Sequence, residues 1–100
     1  MTKRYHLIEV EESFYITIML ISPVEKILNQ LNNKEFRDCD IRWLEDKLDL
    51  YCKIALKTFN CYLEIENLRF DENYGIMNSY TRERYIKHFS TILNYFKTLI

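Results

Sequence analysis

The chain has 100 residues, 48% hydrophobic and 15% aromatic, and its 14 Lys and Arg against 15 Asp and Glu leave a formal net charge of −1. That length holds one domain with a single small core, and the near-zero charge lacks the positive field that drives binding to a phosphate backbone. The longest apolar run, Phe14 to Ile21, is far short of the ~20 residues that cross a bilayer, so neither nucleic acid nor a membrane is an expected partner.

One Gly (Gly75), one Pro (Pro23) and one Ala (Ala55) leave few breakers, which predicts a few long helices with few joints. The bias toward Ile, Asn, Tyr and Lys suggests an AT-rich source such as a phage, a plasmid or a reduced genome. Met1 to Arg4 is basic, but Glu9, Glu11 and Glu12 interrupt the apolar core of a signal peptide, and none is expected. In chain order, Leu7, Val10, Phe14, Ile18 and Ile21 follow three- and four-residue steps and predict a first helix over 5–21. The Ile, Tyr and Phe content of 13–22 leaves a strand open there. Ser22-Pro23-Val24-Glu25 carries a capping residue, a proline at the first helical position and a glutamate three after the cap, predicting a helix that starts at Pro23. It stops in Asn32-Asn33.

From Asp40, the seam Ile41, Leu44, Leu48, Tyr51, Ala55, Thr58, Tyr62 and Ile65 predicts one long central helix over about 40–70. A second stripe on it, Trp43, Leu50, Ile54, Cys61 and Leu68, gives that helix two apolar faces, so it sits at the centre of a bundle or is shared with another chain. Asp71 to Ser79, with Gly75 and two Asn, is a loop. A last helix begins near Ser79 or Thr81 and packs through Tyr85, Phe89, Ile92, Phe96 and Leu99. The expected architecture is all-α, a four-helix bundle-like domain over residues 1–100 with one long central helix, and the expected assembly is a homodimer or a monomer saturated by a protein partner.

The chemistry-bearing residues are sparse. His6 and His88 are the only histidines, and His6-x-x-Glu9 is a single pair in reverse order for a carboxylate-bridged metal site; no metal, cofactor or catalytic site is expected. Cys39, Cys52 and Cys61 form an odd set without a C-x-x-C pair, which fits a reducing, cytoplasmic location. Residues 35–49 hold Glu35, Asp38, Asp40, Glu45, Asp46 and Asp49 against Arg37, Arg42 and Lys47, a net of −3. Residues 82–97 hold Arg82, Arg84, Lys87 and Lys97 against Glu83, a net of +3. Trp43 lies in the acidic stretch and heads the second stripe, so Trp43, Asp40, Glu45, Asp46, Leu50 and Ile54 are the candidate partner-binding residues. The chain therefore reads as a non-enzymatic interaction protein that occludes another macromolecule, in the manner of small inhibitors, anti-defence proteins and toxin-immunity proteins.

Two other readings stand beside it. The segment from Arg82 to His88, "RERYIKH", resembles the Arg-x4–6-His signature of HEPN ribonucleases, all-α proteins in which a dimer brings Arg and His together for RNA cleavage. The resemblance implies His88 as acid or base and Arg82 as stabiliser of the charged phosphorane, with Glu83 departing from the polar residue that usually follows the Arg. The third reading is a helical oligomer that binds a small ligand.

Overall fold

The computed structural model describes the backbone of residues 2–66 and 68–100 and the side chains of 15, 17–66, 68 and 70–100. The protein is all-helical, with 73% helix, and no strand is present among the described residues. Three helices carry the fold: α1 (Thr2–Asn32), α2 (Ile41–Phe59) and α3 (Ser79–Thr98).

The segment over 5–21 is helix, and the joint expected at Pro23 does not break it. Pro23 lies inside α1, where it removes the donor to the Met19 carbonyl at a cost of roughly 3 kcal/mol. Packing on both sides outweighs that cost. Thr17, Val24, Ile27 and Leu31 are buried and Leu20 is half-buried, a row spaced by threes and fours that keeps its phase across the proline. Pro23 and Met19 face solvent, so the interruption sits away from the core. The same phase leaves Ile18, a member of the expected seam, exposed; Leu7, Val10 and Phe14 of that seam lie outside the described side chains. After Asn32 the helix closes with the Glu35 amide donating to the Gln30 carbonyl at 3.0 Å and the Lys34 amide to Leu31 at 3.2 Å. This is a Schellman turn with Lys34 in the left-handed conformation, φ 57°.

The long central helix expected over 40–70 ends at Phe59. Asn60 turns left-handed, φ 52°, and both its amide and that of Cys61 donate to the Ala55 carbonyl. Beyond it the chain runs extended: Cys61, Leu63 and Ile65 are half-buried and Tyr62, Glu64 and Glu66 are exposed. A period of two places alternate side chains on opposite faces, so "CYLEIE" lies along the helices as a strap instead of continuing α2.

Three contacts show where the strap leads. Arg84 of α3 holds Glu66, Nη2 to Oε2 at 2.6 Å, and pairs with Asp71. The Met77 amide donates to Asp38 Oδ1 at 2.6 Å, just ahead of α2. The 60–78 connection thus returns the chain to the starting end of α2, and α2 and α3 run parallel, with Tyr85 meeting Glu45 near their starts and Phe59 meeting Tyr95 near their ends. A short loop over 71–79 would let these helices pair antiparallel; the connection covers 60–78, about twice that length, and they run parallel. α1 runs opposite to this pair, because only residues 33–40 join its end to the start of α2, and Glu25 meets Lys97 of α3 at 3.5 Å.

The hub is α3, not the helix that precedes it. Tyr85, Phe89, Ile92 and Phe96 are fully buried, and Asn78 caps the start by accepting the Thr81 amide at 2.9 Å. α2 contributes Ile41, Leu44, Leu48, Tyr51 and Ala55 to the same core. α1 and α2 lie against α3 and leave a groove between themselves.

Candidate functional site

The groove has a volume of about 440 Å³ and is lined by Pro23, Lys26, Ile27 and Gln30 from α1, by Asp40, Trp43, Lys47 and Tyr51 from α2, and by Phe36 from the turn between them. Trp43, the single tryptophan, is 43% exposed. Its ring meets Phe36 with centroids 5.8 Å apart, and the Lys47 ammonium sits 5.3 Å from its centroid, a cation–π distance. Tyr51 packs edge-on against Phe96 of α3, and burial pushes its hydroxyl pKa up. Asp40 closes one end, with Oδ2 accepting the Arg37 amide at 2.8 Å.

The six candidate partner-binding residues separate. Trp43 and Asp40 line the groove; Leu50, also 43% exposed, continues the Trp43 flank, and Ile54 lies half-buried beyond it against the core. Asp46 is exposed. Glu45 is on another side: it is buried and accepts the Tyr85 hydroxyl at 2.9 Å, which leaves the Tyr85 proton strongly held, by burial first and by the Glu45 charge next. The sequence reading missed the groove's α1 wall and Lys47. Lys26 and Gln30 sit three and seven residues after Pro23, one helical face, but that signal says nothing about which partner the face meets.

Behind Glu45, a second cavity of about 230 Å³ lies under the strap between Glu45, Asp49, Cys52 and Glu66. Burial and the Asp49 charge push the Cys52 thiol up to about 11, the opposite of what a reactive thiolate needs. Among the described residues no group of three or more His, Cys, Asp or Glu is placed to hold a metal ion; the side chains of His6 and Glu9 lie outside them.

Arg82 and His88 do not converge within the chain. Six residues apart on α3, they point about 120° away from each other, and His88 is 7% exposed with Nε2 unpartnered. Burial, with Arg84 and Lys87 adding to it and Glu66 opposing, lowers its pKa. The basic stretch of α3 is also partly spent inside the fold. Arg84 holds Glu66, Asp71 and the Tyr80 ring, while Lys97 holds Glu25. Backbone and side-chain bonds from Asn73, then Arg84, keep the Asp71 carboxyl below its ordinary range.

No helix among the described residues is long and apolar enough to cross a membrane. Comparison with protein-family models, with curated proteins and with solved structures returns no match.

Proposed function

We propose that the protein is a small non-enzymatic interaction protein that binds another protein through the α1–α2 face and acts by occluding it, as inhibitors, anti-defence proteins and toxin-immunity proteins of phage or plasmid type do. One observation carries this reading: the only Trp stands 43% exposed on the rim of a groove, packed at a tilt against Phe36 and followed along the same flank by an equally exposed Leu50. Trp is the residue in which interfaces most concentrate their energy, and leaving it in water costs burial that a core position would have provided. Leu50 and Ile54 fit a role as its apolar neighbours, and Asp46 a place on the rim.

The test replaces Trp43 with a photo-cross-linking aromatic residue in the source host. A discrete adduct with one protein from position 43, absent when the cross-linker stands at the exposed Glu83, supports the reading. Equal, diffuse labelling from both positions contradicts it. The groove's volume also falls in the range of small-ligand sites, which favours the small-ligand reading as the second; a ligand that raises the melting temperature of the isolated protein would mark it.

A further inference from the structure

The α1–α2 groove is built to a helical period on both walls. On α2, Trp43, Lys47, Leu50 and Ile54 are spaced four, three and four; on α1, Met19, Lys26 and Gln30 are spaced seven and four. Each row is one stripe of its helix, and each extends about 16 Å at 1.5 Å per residue. The pocket runs from Phe36, Gln30 and Asp40 at one end to Pro23 and Tyr51 at the other, and Met19, 73% exposed, and Leu50 add apolar surface beside it. In such a trough a small molecule fills the pocket but leaves the Met19 and Leu50 flanks in water. A helix of about three turns fills its length, and seven-residue spacing is the period that helices use to pack alongside one another.

Charge selects among helices. Lys26 lines the α1 wall and Lys47 the α2 wall, while the carboxylate in the lining, Asp40, is turned to the Arg37 amide at the closed end. A second copy docking through the same face across a two-fold axis brings its own Lys26 and Lys47 to the interface, four cations against two Asp40 carboxylates, since such an interface repeats one patch on both sides. We infer that the α1–α2 groove receives an amphipathic helix of a partner protein, apolar along one stripe and acidic at its edges, which completes a four-helix arrangement around α3. The inference rests on the interaction reading and adds the partner's chemistry. Lys47 then exchanges the Trp43 ring for a carboxylate, and the apolar stripe covers Trp43, Leu50 and Met19.

The experiment uses the full chain and two stapled helical peptides of about 14 residues, roughly four turns. Both carry the same leucine stripe; one has Glu at its edges and the other Lys. Trp43 emission reports binding directly, because it is the single tryptophan. The expected result is a blue shift with the Glu peptide, binding at least tenfold tighter than the Lys peptide, and a reversed preference in the Lys26→Glu, Lys47→Glu double variant, both of whose sites are off the core. Equal affinity for the two peptides overturns the inference, as does tighter binding of the Lys peptide. A concentration-dependent shift without peptide overturns it in favour of a second copy. Binding of 1-anilinonaphthalene-8-sulfonate in the groove, with neither peptide competing, overturns it in favour of a small aromatic anion. If neither peptide binds but position 43 still cross-links to one protein in the host, the acidic-helix inference falls and the interaction reading stands; if both fail, both fall.

Discussion

Lys34 and His88 are two residues whose surroundings run against their chemistry. Lys34 holds φ 57° at the end of α1, a conformation that crowds a Cβ and that glycine adopts freely. Lys34→Gly should raise the unfolding free energy by about 0.5–1 kcal/mol in urea, less whatever glycine adds to the entropy of the unfolded chain. His88 is buried with its Nε2 unpartnered and its pKa lowered by burial, Arg84 and Lys87 against the pull of Glu66. The folded state binds a proton later than the unfolded chain, whose histidine titrates near 6.5. Its contribution to stability is therefore complete above about pH 6.5 and is lost as pH falls toward the lower folded value. His88→Leu should flatten the decline of unfolding free energy between about pH 7 and 5.5; an unchanged slope would show that His88 does not carry it. The residue scale was the least legible in the sequence. Glu45 sits in an acidic run and reads as surface, yet it is buried under Tyr85, forty positions away, a pairing that no local pattern announces. The helix stop was read at Asn32-Asn33, and the left-handed turn fell one residue later, on a lysine.

Element by element, periodicity was sound where one face of a helix meets the core and misleading where two periods fit the same residues. The seam of α3 stands as read, with Tyr85, Phe89, Ile92 and Phe96 all buried. Tyr62 and Ile65 continue the α2 seam by spacing, but "CYLEIE" also alternates, and the left-handed Asn60 decides for the alternation. Pro23 with its capping box is a sound local start signal, overridden because Leu20, Val24, Ile27 and Leu31 need one continuous face. The strap makes a sharp prediction. Ile65→Ala should cost about 1–2 kcal/mol, the lower part of the range for truncating an apolar side chain because the site is only half-buried. Glu64→Ala, pointing outward, should stay within about 0.5 kcal/mol. Thermal or urea unfolding of the pair checks this, and equal losses would contradict the alternating strap.

For the molecule as a whole, the 31-residue α1 and the parallel pair α2–α3 give an elongated body of 54 × 26 × 19 Å, with its hub on α3 and its aromatic groove on the opposite side of α2. The all-α class was legible because breakers are scarce; the parallel order was not, because the strap that makes it was read as helix. Part of the exposed apolar surface lies on the Trp43, Leu50 and Met19 flanks, and part on the 60–78 connection, at Tyr62 and Phe70. Binding is the role proposed for the groove flanks. The most direct test places a photo-cross-linker at position 50, introduces Trp43→Ala beside it, and measures adduct yield in the host together with the unfolding free energy of the purified protein. The adduct is expected to disappear while stability falls by no more than about 1 kcal/mol, since Trp43 is nearly half exposed and a truncated hot spot costs binding first. A loss of about 3 kcal/mol or more, the cost of emptying a core aromatic site, with the adduct intact, would contradict it.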